Sequence, residues 1–394
     1  MMSKKKIAFL IASIVMMLTL ITAALFGQAV EKDNVYRYLS IFTEVFSLAR
    51  SNYVDEVPSE KLVDGAFGGV TDAIDEYSYY VPPSEIAGYR KAADVSDGSV
   101  GLIVSKRFGY GYVIAPVADS PADKAGLEAG DFIEKIDGQP TQKMTIWKIR
   151  GALQGDEGKP LSLTVLRGGL SRREEFTVVR KPFAAQAPAS REYGSVAYIA
   201  IPHFGGGSAE NFGKLLSSVR ASGKRKLIVD VRGNAGGRVE EAAAAADHLL
   251  SGGAITSLVG RKAERKRWDA DKATLFDGDV QILADHSTAG PAEIFAAAIG
   301  GNKRGSVVGV STYGMSIVQK FVPLASGGGL HVTIGHYTQP DSKPIKEQGI
   351  RPDVYVDLSA LAIRGPEGAE KPKDDLILNR ALKIFGESAL KAAA

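Results

Sequence analysis

The chain has 394 residues, of which 45% are hydrophobic and 24% are charged, a composition typical of a globular protein with two or three domains. The formal net charge of +3 is too small to indicate nucleic-acid binding, and the absence of cysteine excludes a cysteine nucleophile, disulfides and thiolate metal sites. The histidines are scattered without the spacing of metal ligands, so we predict neither a metal nor a cofactor.

The N-terminus carries a long apolar run. Lys4, Lys5 and Lys6 precede the uncharged residues 7–26, a length that can span a bilayer. Lysines before such a run favour a cytoplasmic N-terminus with the remaining chain outside. The alternative is a signal peptide cleaved near Ala29. We predict an uncleaved transmembrane anchor over residues 1–27. The protein would then be a single-pass protein of the inner membrane, with its soluble domains on the periplasmic or extracytoplasmic side.

The next segment has a helical pattern. Apolar residues recur at helical spacing from Tyr38 to Ala49 and again from Leu62 to Ile74. The sequence therefore predicts an N-terminal helical region over residues 28–95 that packs on the core.

From residue 96 the pattern changes to short β-like runs separated by glycine. In the run from Ser120 to Ile133, Pro121 can open a short helix and Gly126 can end it, which predicts a strand–helix–strand unit. The arrangement resembles a PDZ domain, to which we assign residues 96–181.

The resemblance to a PDZ domain implies a peptide site. PDZ domains add an extended peptide as a strand to a sheet edge and capture its terminal carboxylate with free backbone N–H groups. The implied carboxylate loop and edge strand consist of Gly98, Ser99, Val100, Gly101, Leu102 and Ile103. The alternative is a tight glycine turn without a ligand.

The C-terminal half alternates strands and helices. After a linker rich in alanine and proline, 182–188, this alternation runs from a strand at 196–201 to a strand at 307–310. The pattern predicts an α/β core with a largely parallel sheet. We assign the linker and this core to residues 182–360 and a C-terminal tail to residues 361–394.

Residues 285–319 resemble the active-site segment of the C-terminal processing, or tail-specific, serine peptidases. The family pattern is S-A-S-A-S-E-[IV], a helix, a strand and T-[FY]-G-K-G-S-V-Q; this chain has S-T-A-G-P-A-E-I and later T-Y-G-M-S-I-V-Q. Residues 230–237 are similar to the family's D-[LV]-R-x-N-x-G-G, and residues 348–353 to its G-I-x-P-D. The resemblance spans about residues 35–358 and implies a ClpP- or crotonase-like α/β peptidase core.

The residues implied for catalysis are substituted. The family's serine nucleophile falls on Gly290 and its lysine base on Met315, and neither side chain can perform that chemistry. Pro291 lacks the backbone N–H that would donate to the oxyanion after the nucleophile. The resemblance places the other oxyanion donor at Gly236 or Gly237, although without a nucleophile this segment is equally well explained as a tight turn.

Few other polar residues nearby could replace the implied nucleophile and base. Gln319 retains the family's third polar position, and Ser287 is the fallback nucleophile. His286 beside it would point to the opposite face of an extended segment. The nearest lysines, Lys303 and Lys320, have the pattern of solvated residues.

Three functions remain open. The first is a pseudopeptidase that binds peptides or polypeptide C-termini without Ser–Lys proteolysis, and we favour it. The second is a working serine endopeptidase that processes C-termini with an unconventional nucleophile, and the third is a scaffold without a peptide ligand. The predicted partners are polypeptide C-termini or unfolded proteins and, through the N-terminal helix, a membrane; a homo-oligomer is compatible with the sequence.

Overall fold

The computed structural model describes residues 4–93, 98–168, 170–184, 186–346, 348–358 and 374–387. The side chains of residues 4–12, 22–34 and 93 lie outside that description, as do the ends of the predicted anchor and most of the predicted C-terminal tail. The chain divides into two compact units, residues 1–70 and 71–394.

The first unit is helical, as the apolar spacing predicts. Helix α1 spans Lys4–Asn52, and helix α2 spans Ser59–Asp72 and reaches the first residues of the second unit. Large apolar side chains on α1, such as Tyr38 and Phe42, are exposed.

The predicted N-terminal transmembrane helix is wrong. In the part of the chain that the structure describes, no helix is both long enough and apolar enough to cross a bilayer. Helix α1 continues to Asn52 and carries the charged residues Arg37, Glu44 and Arg50 in its second half. The anchor over residues 1–27 is therefore not supported, and export of the chain stays a prediction.

The second unit opens with a short segment before the PDZ-like region. Strand β1 spans Tyr79–Val81, a 3-10 turn spans Pro83–Glu85, and helix α3 spans Ile86–Ala93. Tyr89 of α3 packs edge-on against Trp147, with the ring centroids 5.7 Å apart, so this segment lies against the PDZ-like region.

The PDZ-like region is an antiparallel sheet with two helices. Its strands are β2 Gly98–Ser99, β3 Leu102–Arg107, β4 Tyr110–Pro116, β5 Phe132–Ile136, β6 Gln139–Pro140, β7 Gln154–Gly155, β8 Pro160–Arg167 and β9 Arg172–Val179. The main sheet has the order β3-β4-β5-β8-β9, so β3 lies at an edge. Helix α4 spans Pro121–Lys124 and helix α5 spans Ile146–Leu153. The Ser120 hydroxyl caps α4 by accepting from the Asp123 N–H, which confirms the predicted short helix.

The α/β core contains the predicted parallel sheet. Its strands are β10 Ala189–Tyr193, β11 Val196–Ala200, β12 Lys226–Asp230, β15 Asp279–Ala284, β16 Ser306–Gly309 and β19 Val354–Tyr355, in that spatial order. All neighbouring pairs among them are parallel except β10 with β11. Helices α6 Ser208–Ala221, α7 Val239–Asp247 and α8 Pro291–Gly301 follow β11, β12 and β15. The predicted alternation is therefore confirmed.

Both faces of this sheet are covered, as a parallel sheet requires. Helices α6, α7 and α8 share one apolar cluster with Leu227 and Val229 of β12. The opposite face, including Ile228, packs against helix α9, Leu376–Ile384. Helix α9 lies within the predicted tail, so the described part of that segment contributes to the core.

A further antiparallel sheet was not predicted from the sequence. It contains β13 Ala254–Val259, β14 Lys266–Asp269, β17 Ile317–Pro323 and β18 Gly329–Thr338, together with β1. Strand β18 pairs with β17 along one side. On its other side it pairs with β1 through residues 329–331 and with β13 through residues 336–338.

Candidate functional site

The structure brings the three motif segments together. We name them the glycine turn, residues 230–237, the helix-entry turn, residues 285–291, and the Thr312 turn, residues 312–316. The Ala289 N–H donates to the Asn234 carbonyl at 2.9 Å, and the Tyr313 N–H donates to the Thr288 carbonyl at 3.0 Å. Backbone bonds therefore join all three segments at the ends of β12 and β15.

Gly290 lies at the point where the chain turns sharply into α8. Its φ is +59° and its ψ is −121°, a conformation that glycine adopts without steric cost and other residues adopt under strain. A sharp strand-to-helix turn of this kind can present a nucleophile above a sheet. A Cβ built on Gly290 would have the Met315 carbonyl oxygen as its nearest neighbour, at 3.9 Å. The turn therefore has room for a side chain and carries none.

Glu293 holds the helix-entry turn and the Thr312 turn in place. This fully buried carboxylate accepts from the Thr312 hydroxyl and the Gly314 N–H, both at 2.6 Å. It also accepts from the N–H groups of Gly290 and Met315, both at 2.9 Å. Burial raises the pKa of Glu293, and these hydrogen bonds oppose that shift without cancelling it.

Met315 lies in an apolar environment. It is half-buried and packs with a cluster that includes Tyr112 and Phe132 from the PDZ-like region and Ala235 and Ala289 from the core. Such surroundings would desolvate an amine at this position, but a thioether cannot take up a proton.

The lysines nearest in sequence to Met315 do not supply the base that is missing there. Helix α8 has 11 residues and is therefore about 16 Å long, so Lys303, beyond its C-terminal end, lies far from Gly290. Lys320 is an exposed residue of β17.

The glycine turn keeps its backbone donors. Within the described residues, no acceptor is found for the N–H groups of Gly236 and Gly237, and both glycines reach the surface. Gly237 has φ +117°, and a Cβ there would lie 2.0 Å from the Phe204 carbonyl oxygen, so only glycine fits. Pro291 has no N–H to donate, so the helix-entry turn lacks the second oxyanion donor that the family resemblance implies.

His203 adjoins the glycine turn, a position that the sequence analysis missed. A Cβ built on Gly236 would lie 3.2 Å from His203 Nε2 and 3.4 Å from Ile103 Cδ1. Burial lowers the pKa of the half-buried His203 imidazole, so its neutral form is favoured. The fold alone brings His203 to Gly236, and no sequence spacing indicated this contact.

Ser287 and Gln319 have structural partners. The Ser287 hydroxyl donates to Asp285 Oδ1 at 2.6 Å and accepts from the Gly233 N–H at 2.9 Å, and the residue is buried. Ser287 thus links the helix-entry turn to the glycine turn. Gln319 Nε2 donates to the Tyr77 carbonyl at 2.8 Å, which fixes the segment before β1.

The predicted carboxylate loop forms internal hydrogen bonds. Gly98 and Ser99 pair with β7, and the Val100 N–H donates to the Leu153 carbonyl at 3.4 Å. The Gly101 N–H donates to the Ser99 hydroxyl at 3.2 Å. A peptide carboxylate at this loop would therefore replace the Ser99 hydroxyl as the acceptor.

The two apolar residues at the start of β3 contact different parts of the protein. Leu102 packs at the edge of the PDZ core, whereas Ile103 packs with Ala235 and Ala289 near the glycine turn. A second contact joins the PDZ-like region to the core, because the Ser105 and Tyr313 hydroxyls lie 2.5 Å apart. Burial, the largest cause, raises the pKa of Tyr313 to about 12.

Comparisons with known proteins agree with this architecture. The profile of peptidase family S41 matches residues 195–356, and a PDZ-domain profile matches residues 112–167. The carboxy-terminal-processing protease of Bartonella bacilliformis is 28% identical over 426 aligned positions, covering 99% of this chain and 98% of that protein. The carboxy-terminal processing protease CtpB of Bacillus subtilis is 26% identical, covering 89% of this chain and 74% of that protein.

A solved structure has the same fold. The photosystem II D1 C-terminal processing protease superimposes with a TM-score of 0.68 at 22% identity, covering 81% of this chain and 93% of that one. The predicted peptidase core with a PDZ domain is thereby confirmed. The chain therefore has a peptidase family S41 domain and a PDZ domain, and it is similar over most of its length to carboxy-terminal processing proteases.

Proposed function

We propose that this protein binds polypeptide C-termini or unfolded segments and does not hydrolyse them by Ser–Lys chemistry. The observation that carries the proposal is the helix-entry turn. Gly290 occupies the strained nucleophile position with room for a side chain, yet has no hydroxyl. Met315 provides no base and Pro291 no oxyanion donor, so the nucleophile, the base and one oxyanion donor are missing together.

The PDZ domain supports the binding part of the proposal. Strand β3 lies at the edge of its sheet, where an extended peptide can add as a further strand. Among the described residues, the Gly101 N–H has only the neighbouring Ser99 hydroxyl as its acceptor. A charged carboxylate can displace this bond because charge-assisted bonds are stronger. The names of the relatives, which describe proteases acting on carboxy termini, are consistent with such a ligand.

The alternative function is an endopeptidase with an unconventional nucleophile. Ser287 favours this alternative in one respect, because its hydroxyl donates to the Asp285 carboxylate at 2.6 Å. However, the same oxygen accepts from the Gly233 N–H and the residue is buried, which holds the hydroxyl in the turn.

Peptide binding by the purified chain tests the proposal. We expect a fluorescent peptide with an apolar last residue to bind with a Kd on the order of micromolar, because a short added strand offers little surface beyond its ordering cost. Amidation of the terminal carboxylate should weaken binding at least about tenfold. Equal binding of the acid and the amide would contradict carboxylate capture, and no binding of either would favour the scaffold.

A further inference from the structure

A cavity of about 860 Å³ lies beside β18 in the second unit. It lies where β18 changes partners, between its pairing with β1 at residues 329–331 and its pairing with β13 at residues 336–338. Thr333, Ile334 and Gly335 of β18 line it. We call it the basic cavity, for the charges described next. Gly290 and Met315 are not among its lining residues, but Tyr313 and Ile317, on either side of Met315, are, so the cavity adjoins the Thr312 turn.

Positive charge predominates in its walls. Arg107, Arg261, Arg265 and Lys346 line it, against the two carboxylates of Asp75 and Glu76. The Asp75 carboxylate accepts from the N–H groups of Tyr77 and Ser78, at 2.9 Å and 2.6 Å. Its negative charge is therefore already engaged by backbone donors.

The arginines of the loop between β13 and β14 remain available. Arg261 and Arg265 are exposed, and within the described residues neither forms an ion pair. Neighbouring Arg267, by contrast, pairs with Asp269 at 2.8 Å and does not line the cavity. The basic cavity thus presents two guanidinium groups that can bind carboxylates, a geometry to which arginine is well suited.

Four aliphatic side chains lie in the remaining walls, beside Tyr77, Tyr313 and His336. Ile74, Val259, Ile317 and Ile334 provide apolar surface. Apolar side chains of a ligand can therefore pack in this part of the cavity.

We propose that the basic cavity binds a short polypeptide segment that combines acidic and apolar side chains. The acidic groups would bind Arg261 and Arg265, and the apolar groups would pack on the isoleucines. The volume and the apolar walls favour a peptide over an inorganic anion, which would fill only a small part of the space. This site adjoins the Thr312 turn but goes beyond the proposed function, because Arg261 and Arg265 belong neither to the PDZ carboxylate loop nor to the positions of Gly290 and Met315.

Fluorescence anisotropy with the full chain tests this site. The probe is a short labelled peptide of alternating glutamate and leucine whose C-terminus is amidated, so that carboxylate capture by the PDZ domain plays no part. We expect the glutamine counterpart to bind at least about tenfold more weakly, and the glutamate peptide to lose affinity at high ionic strength. Equal affinity of the two peptides would overturn the proposal.

Two matched double variants test whether the glutamate peptide binds at Arg261 and Arg265. The double variant Arg261→Gln, Arg265→Gln should weaken the glutamate peptide about tenfold. The control Lys262→Gln, Arg267→Gln removes the same charge from the same part of the chain and should have little effect. Equal losses in both variants would show only nonspecific attraction and would overturn the proposal. Inorganic phosphate that displaces the peptide at equal concentration would likewise identify a small-anion site and overturn the assignment to a peptide.

Discussion

The carboxylate of Glu293 accepts a hydrogen bond from the backbone N–H of Gly290 at 2.9 Å. The same oxygen, Oε2, accepts from the Met315 N–H at 2.9 Å. One buried side chain therefore fixes the backbone at both positions where the family resemblance implies a catalytic residue. The backbone at both positions is therefore held in one arrangement, although the side chains there lack the groups that the resemblance implies.

Replacing Glu293 should destabilise the core strongly. Glu293→Ala leaves the donors of Thr312, Gly314, Gly290 and Met315 buried without an acceptor. We expect the free energy of unfolding to fall by about 3 to 5 kcal/mol. Urea denaturation followed by circular dichroism measures this change. The exposed Glu210→Ala on α6 is the control, and an equal shift of both midpoints would contradict the structural role of Glu293.

Removing the Ser99 hydroxyl should strengthen capture of a peptide carboxylate. Ser99→Ala frees the Gly101 N–H from its internal acceptor, so the peptide no longer has to displace it. We expect the Kd for an apolar C-terminal peptide to fall about two- to fivefold. Isothermal titration calorimetry measures this, with the exposed Ser190→Ala as the control. Weaker binding in Ser99→Ala would show instead that the hydroxyl contacts the peptide.

Asp375 joins helix α9 to the glycine turn, so its replacement should lower the free energy of unfolding. Its carboxylate accepts from both terminal nitrogens of Arg232, at 2.7 Å and 2.8 Å, and from the Leu378 N–H at the start of α9. Asp375→Ala removes the helix cap and leaves the Arg232 guanidinium with fewer partners. We expect a loss of about 2 kcal/mol in the free energy of unfolding. The neighbouring Asp374→Ala serves as the control, and equal losses would contradict the link.

His331 should contribute to the loss of folding stability at acidic pH. Its ring stacks on Tyr79 with the centroids 4.7 Å apart, and burial together with Arg150 lowers the pKa of His331. Below about pH 6.5, His331 therefore binds a proton more readily in the unfolded chain than in the folded chain. The contribution of neutral His331 to the free energy of unfolding is present at neutral pH and is lost as pH falls. His331→Phe keeps the ring and removes the titration. Its unfolding free energy should decline less between pH 7 and pH 5, and parallel curves would contradict this.

Regular elements with a clear period could be predicted from the sequence. The strands β11, β12, β15 and β16 and their helices follow the predicted alternation because both faces of the parallel sheet are buried and their residues are strongly apolar. The sheet formed by β13, β14, β17 and β18 was missed. Its strands are largely half-buried, and partners such as Ser257 and Thr338 are far apart in sequence, so neither apolar pattern nor local spacing indicates their pairing.

The candidate site could be predicted only in part. Motif spacing identified Gly290, Met315 and the glycine turn, which the fold does bring together through backbone bonds. Glu293 lies within the motif itself, but its hydrogen bonds to the Thr312 turn, like the contact of His203 with Gly236, depend on tertiary packing and have no local sequence pattern. The apolar run at the N-terminus led to the wrong prediction of a transmembrane anchor, because composition alone does not establish a spanning helix.

Hydrolysis by the wild-type chain tests the central claim most directly. The purified protein is incubated with an unfolded substrate that has an apolar C-terminus, and mass spectrometry identifies any fragments. We expect an intact substrate, because Gly290, Pro291 and Met315 lack the nucleophile, one oxyanion donor and the base that the resemblance implies. Ser287→Ala, prepared in parallel, distinguishes the rival mechanism from a contaminating protease. Cleavage by the wild-type chain that Ser287→Ala abolishes would contradict the account and identify a working endopeptidase.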